Sequence, residues 1–279
     1  IEAGPPDLLP GFLPKHGQLV ISGETNVGKS LLSLETISSL VMGNPLWGAL
    51  RPTTKIKKVL YVLGEHYDEV IQRLWGVTKL PMSENVWLLG PEALSFDKWL
   101  VTQGKPNFTA VEKFKRWADR CDLLVFDPLS AFIAGSGEVE NDNVQMRLLL
   151  DMMGLITQES GASCLILAHQ GKPMMDRMGE EHRRKSYATR GASGTEDSAT
   201  NIFYMEVGPA SNTFDIICRK YKGNAPPIYR LLRDEKTLTH TLLSTEESVS
   251  EMQKREVQNK LERLQIAKPE YSRNTCTEI

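Results

Sequence analysis

The sequence contains no C-x-x-C pair, and its four cysteines (Cys121, Cys164, Cys218, Cys276) stand far apart. Three of them sit in or beside apolar runs. Buried thiols in a reducing compartment are therefore expected, rather than a disulfide framework or a metal clip. No apolar run approaches the roughly 18 residues that a membrane span needs, and no signal-peptide pattern is visible. The expectation is a cytoplasmic protein with no membrane partner. An excess of one charge is also missing. Lysine and arginine total 33 against 35 acids, a net charge of −2. A surface coated in positive potential is excluded, so any contact with nucleic acid must come from local patches. Repeats and low-complexity tracts are absent. The chain opens on Ile1 without a methionine, which suggests a trimmed start.

What is present suits a globular protein: 279 residues, 41% hydrophobic and 24% charged. This is enough for one domain of about 200–250 residues plus tails, or for two small domains. The opening "PPDLLPGFLPKHGQ" is rich in proline and glycine and reads as an irregular lead-in over residues 1–16. Short β-type runs then alternate with helical patterns. "QLVIS" is an apolar strand, and the helix after it carries Leu31, Leu34, Ile37 and Val41 on one face. "KKVLYVLGE" is a second strand, followed by a helix through Val70, Leu74 and Trp75. "VWLLG" is a candidate third strand, "AVEKFKRWAD" is amphipathic, and "DLLVFD" is an apolar strand ending in an acid. Residues 143–159 form a helix with Met146, Leu149, Leu150, Met153 and Ile156 as its stripe, and "ASCLILAHQ" is the next buried strand.

Strand–helix alternation with continuously apolar strands predicts an α/β fold, a mostly parallel sheet covered on both faces. Beyond Asn201 the rhythm changes. "NIFYMEV", "TFDIICRKYKG" and "IYRLLRD" follow one another with turns and no helix, which predicts an antiparallel C-terminal extension. The main domain is expected to span residues 17–244. Residues 245–279 read as a polar helical tail with Val249, Met252, Val257, Leu261 and Leu264 at near-helical spacing. That tail packs on the core or a neighbour, or opens a winged-helix module cut short.

The most specific motif is "GETNVGKS", Gly23 to Ser30, which fits G-x-x-x-x-G-K-[ST]. Glycines let the backbone curl so that several N–H groups face phosphate oxygens, aided by the positive end of the following helix. A glycine-rich turn alone can imitate the pattern. Here it follows an apolar strand and opens an apolar-striped helix, the context phosphate binding requires. Gly23, Glu24, Thr25, Asn26, Val27, Gly28, Lys29, Ser30 and Leu31 are therefore the candidate ATP-binding residues, with Lys29 reaching the β- and γ-phosphates. The Ser30 hydroxyl is a candidate Mg²⁺ ligand. Asp127, closing "DLLVFD", is the second, directly or through water. Glu65 ends the strand after the loop's helix and is a candidate general base, since ligands bind at the carboxyl edge of such sheets. Gln170, at the tip of "CLILAHQ", is placed to sense the γ-phosphate, while His169 is as readily structural.

In this order, these residues resemble the RecA-type ATPase core shared by RecA, KaiC-like proteins and the DnaB-like hexameric helicases. The segments that carry the resemblance are "LLPGFLPKHGQLVISGETNVGKS", "VLYVLGEHYDEVIQRL", "DLLVFDPLSAF", and "CLILAHQGK" with "RGASGTEDSATNIFYM". Together they cover about Leu8 to Asp234. The resemblance implies a RecA-like P-loop fold, Glu65 as the catalytic glutamate that ends the second strand, and Arg73 one helix later. It is nearest in flavour to the compact RepA-type helicases of plasmids and phages. Those often carry H-H-x-x-K where this chain has His169-Gln170-Gly171-Lys172. The family also has K-x-[KR] near "RKYKGN". By that resemblance Lys220 and Lys222, with Arg219 in reserve, reach the neighbouring subunit's γ-phosphate. A lysine at Lys222 departs from the arginine more usual in the DnaB-like branch. A homo-oligomer is implied, a ring with a hexamer favoured, or a helical filament.

Residues 171–194 make a segment long for a loop in a compact core, and long loops are usually functional or disordered. Lys172, Arg177, Arg183, Arg184, Lys185 and Arg190, with Tyr187 among them, offer phosphate attraction and a stacking face. In RecA-type assemblies the matching loop faces the channel and holds single-stranded DNA. Asp176, Glu180 and Glu181 partly offset its charge, so a solvated loop is the plain alternative. Residues 135–143 form a second, acidic channel-loop candidate with a weaker case. The leading expectation is an ATP-hydrolysing motor on single-stranded DNA with ATP and Mg²⁺ as cofactors, a helicase or helicase-like ATPase of a plasmid, phage or mobile element. A nucleotide-gated adaptor and a recombinase-like filament remain alternatives.

Overall fold

The computed structural model describes residues 7–64, 68, 70, 72, 76, 84–90, 101–102, 105–129, 133–134, 143–169, 174–175, 181–182, 198–221 and 228–243. The main strands are β1 (Gln18–Gly23), β2 (Val59–Leu63), β3 (Val86–Leu89), β4 (Leu123–Asp127) and β5 (Ser163–His169). They continue as β6 (Asn201–Val207), β7 (Thr213–Lys220), β8 (Ile228–Arg233) and β9 (His240–Leu242). The helices named here are α1 (Lys29–Met42), α2 (Phe108–Ala118) and α3 (Asn143–Ser160).

Among the described residues these strands form one nine-stranded sheet in the order β9-β8-β7-β6-β1-β5-β4-β2-β3. From β6 through β3 every pairing is parallel; from β6 through β9 every pairing is antiparallel. The α/β class and the antiparallel extension expected from the sequence are the architecture found. β9 is the strand the sequence did not announce, because three residues are too short to carry a period.

Side-chain alternation splits the core into two layers. On β1, Leu19 and Ile21 join the layer packed on α1, while Val20 joins the layer packed on α2 and α3. β2 and β4 divide the same way: Val59, Tyr61, Leu63, Leu123 and Val125 face α1; Leu60, Val62, Leu124 and Phe126 face the other side. Continuous apolar strands are the signature of a sheet buried on both faces.

The lead-in is more ordered than its composition suggests. Leu8, Leu9, Phe12 and Leu13 are buried in the α1-side core, and Leu13 closes a turn back onto Leu9. Phe12 packs edge-on to Trp47 at 5.1 Å, and its ring lies 5.3 Å from Phe203 and 6.0 Å from Tyr229. Of the helix expected through Val70, Leu74 and Trp75, Val70 is helical and buried in the α1-side core. Leu74, Trp75, the tail from residue 245 and the Met146 side chain lie outside the described residues. Leu149, Leu150, Met153 and Ile156 of the expected stripe are buried. No helix among the described residues is long and apolar enough to cross a membrane.

Candidate nucleotide site

The site begins where β1 ends. Gly23 is level with Met205 on one side and His169 on the other, so β1 and β5 end together at the loop beside β6. A Cβ at Gly23 would stand 2.5 Å from the Met205 carbonyl oxygen, so the close backbone approach requires glycine there. Asn26 at φ 64° and Gly28 at φ 107° turn the chain through left-handed conformations into α1. Gly28 caps the helix without a side-chain hydrogen bond, and its first turn holds no acid. The unpaired N–H groups of that turn thus face neither a competing side-chain oxygen from the cap nor a negative charge on their own helix.

Lys29 is the second element. Its Nζ donates to the carbonyls of Gly23 at 3.0 Å and Glu24 at 2.7 Å, which folds the loop around the ammonium group. Burial lowers its pKa to about 8, against the pull of Asp127 and Glu24. A buried cation only partly compensated by carbonyl dipoles is a ready partner for an anion.

Asp127 is the third. It ends β4 on the α1 face, partly buried, and its backbone carbonyl accepts from the Gly64 amide at 2.8 Å. Burial pushes its pKa up, opposed by hydrogen bonds from Ser30 and Tyr61 and by the charges of Lys29 and His169. The Tyr61 hydroxyl donates to Oδ2 at 2.8 Å. Ser30 and Asp127 are thus already in contact, a hydroxyl and a carboxylate beside a loop shaped for phosphate. Oxygen donors of this kind suit a hard cation such as Mg²⁺, so the residues present fit the expected metal.

The structure brings together Gly23 through Leu31, Asp127 and the His169 position. It does not bring Lys220 to them. Lys220 ends β7 paired with Ile202, which is level with Val20, whereas the phosphate loop leaves from Gly23 at the other end of β1. Lys220 therefore lies toward the opposite edge of the sheet from its own chain's loop. Glu65 and Gln170 lie outside the described residues, one position beyond Gly64 and His169 respectively. Lys222, Arg73, Lys172, Arg177, Arg183, Arg184, Lys185, Tyr187 and Arg190 lie outside them as well. Within residues 171–194, Met174–Met175 pairs antiparallel with Glu181–His182, a short ladder in a stretch expected to be loop. Tyr61 and Ser33 are contributors that the sequence did not single out. Their signal was a tyrosine in the aliphatic run "VLYVL" and a serine one helical turn after Ser30.

A family model described as an AAA domain matches residues 3–175. No curated protein matches the sequence. Among solved structures, one described as an ATPase domain superposes with a TM-score of 0.58 at 11% identity, covering 82% of this chain and 86% of that one. The RadB recombinase gives 0.54 at 13% identity, covering 82% and 92%. The KaiC-like protein PH0186 from the hyperthermophilic archaeon Pyrococcus horikoshii OT3 gives 0.52 at 14% identity, covering 88% and 98%. At such identities the likeness is one of fold, and the fold is the RecA-type core that the sequence segments resemble.

Proposed function

The chain belongs to the AAA domain family, and from that premise we propose that it is an ATP-hydrolysing motor subunit acting on single-stranded DNA. One observation carries the reading: buried Lys29, Ser30 and Asp127 meet at the mouth of the Gly23–Gly28 loop. The loop amides and Lys29 hold the phosphates of ATP. Ser30 and Asp127 would hold Mg²⁺, which would supply charge neutralisation for the phosphate oxygens. Glu65 orients a water and takes its proton as the water oxygen bonds to the γ-phosphorus. The bond to the β–γ bridging oxygen breaks, and ADP and phosphate result. Gln170 reports whether the γ-phosphate is present.

The charge developing on the transferred group needs a further cation, and Lys220, at the far edge of its own sheet, is badly placed to supply it in the same chain. A neighbouring copy supplies it instead, through Lys220 and Lys222, in a ring or filament. Single-stranded DNA runs along Lys172, Arg177, Arg183, Arg184, Lys185 and Arg190, with Tyr187 stacking on a base. The core at residues 17–244 forms the motor, and residues 245–279 form a helical appendage. A replicative-type helicase of a plasmid, phage or mobile element is the setting this combination fits.

ATP turnover measured with and without single-stranded oligonucleotides tests the proposal. Stimulation of several-fold, lost at high salt, is expected. Turnover indifferent to every nucleic acid would overturn the motor reading and leave a nucleotide-gated switch. Stimulation accompanied by strand pairing but no unwinding would point to a recombinase-like filament.

A further inference from the structure

Tyr61 is fully buried on β2, the polar member of an otherwise aliphatic strand. As packing alone, phenylalanine would fill the same space. The hydroxyl is the informative part, because a buried hydroxyl must find partners and its choice of partners is specific. In the register of β2 and β4, Tyr61 lies opposite Val125, and Asp127 stands two residues further along on the same face. That diagonal is within reach of a long aromatic side chain. The hydroxyl donates to Asp127 Oδ2 at 2.8 Å and lies 2.9 Å from Ser33 Oγ. Ser33, buried on α1 one turn after Ser30, has one hydrogen for two acceptors, the Ser30 carbonyl at 2.7 Å and the Tyr61 oxygen. Ser30 in turn hydrogen-bonds Asp127. The contacts close a ring, Asp127–Tyr61–Ser33–Ser30, that spans the first turn of α1 and two neighbouring strands.

We propose that Tyr61 is a positioning residue: braced by Ser33, its hydroxyl fixes the orientation of the Asp127 carboxylate and thereby the affinity of the nucleotide site for Mg²⁺. The inference rests on reading the loop as a Mg²⁺–nucleotide site. Tyr61 touches neither nucleotide nor metal in this account; it acts through Asp127. Groups that orient metal ligands in this way typically govern about 10- to 100-fold in metal affinity or activity. The ring also explains why a tyrosine sits in the core, where each alternate position of β2 is otherwise filled by valine or leucine.

The test is Tyr61→Phe, which removes one oxygen and keeps the ring. Tyr229→Phe is its control, since the Tyr229 hydroxyl is also buried but donates to the Gly11 carbonyl at 2.7 Å in the other half of the sheet. Binding of N-methylanthraniloyl-ADP is titrated with Mg²⁺, and turnover is followed over the same range. Tyr61→Phe should raise the Mg²⁺ midpoint about 10- to 100-fold while leaving metal-free nucleotide binding unchanged, and its lost turnover should recover as Mg²⁺ rises. Tyr229→Phe should leave the midpoint where it is. Ser33→Ala should shift it in the same direction by less, and it carries the test should Tyr61→Phe not fold. An unshifted midpoint in folded Tyr61→Phe, or in Ser33→Ala standing in for it, overturns the inference alone. A wild-type protein whose nucleotide binding ignores Mg²⁺ overturns the site reading with it.

Discussion

The two halves of the sheet are built by different rules. From β6 to β3 the strands run parallel, helices cover both faces, and apolar residues fill both alternations of each inner strand. From β6 to β9 they run antiparallel, and the buried apolar residues of β7 and β8 (Phe214, Ile216, Tyr229, Leu231) all join the single core layer shared with the lead-in. The other alternation meets water more often, as Ile228 does at 44% exposure. Doubly covered strands leave their tips as the free surface, and the loop, Asp127 and His169 are found there. A half packed on one face depends on whatever covers that face, here the lead-in around Phe12 together with Trp47. Its chemically interesting end, at Lys220, points away from the loop.

The most damaging way to test this division is to remove Lys220 and Lys222 together by alanine substitution. Turnover should fall about 10³- to 10⁵-fold with nucleotide binding retained. Mixing the variant with Lys29→Ala subunits should restore part of the activity, since each supplies what the other lacks. Failure to restore at any ratio would place those lysines outside a shared site. Phe12→Ala strikes the lead-in instead. Truncating a buried phenylalanine in contact with Trp47, Phe203 and Tyr229 should cost about 3–5 kcal/mol, read as a lower urea midpoint. Nucleotide affinity per folded molecule should stay as it was. A loss below about 1 kcal/mol would mean the antiparallel half does not rely on this cover. The mildest test uses thiol chemistry at pH 8. Burial pushes Cys121 up to about 12 and Cys164 higher still, so both thiols stay protonated and unreactive in the doubly covered half. Cys218 in β7 is raised too but only partly buried, and should be labelled faster. Equal labelling rates would show that the halves open together.

Much of the parallel half was legible because its signals are local. β1, β2, β4 and β5 each announce themselves as a short apolar run, and the phosphate-loop pattern fixes which end of β1 matters. Phe12 was opaque for the opposite reason. Six residues of lead-in have no period, and their burial depends on Trp47, Phe203 and Tyr229, which lie far along the chain. Tyr61 was hidden in the same way, since its contact with Asp127 exists only once β2 and β4 are placed in register. The position of Lys220 needed topology: a basic strand end can be assigned to an edge only after the reversal between β6 and β7 is known. "RKYKGN" pointed to a subunit interface by resemblance alone. The strand register shows only that Lys220 does not stand beside the phosphate loop of its own chain.

β6 belongs to both halves. At its start Ile202 is paired with Lys220, and the ladder with β7 shifts register before Phe203; three residues on, the Met205 carbonyl stands so close to Gly23 that no methyl group fits between them. About 10 Å of backbone thus joins the strand pair that carries Lys220 to the floor of the phosphate loop. A side chain at Gly23 would have to displace β6, and with it the strand on which the antiparallel half is built.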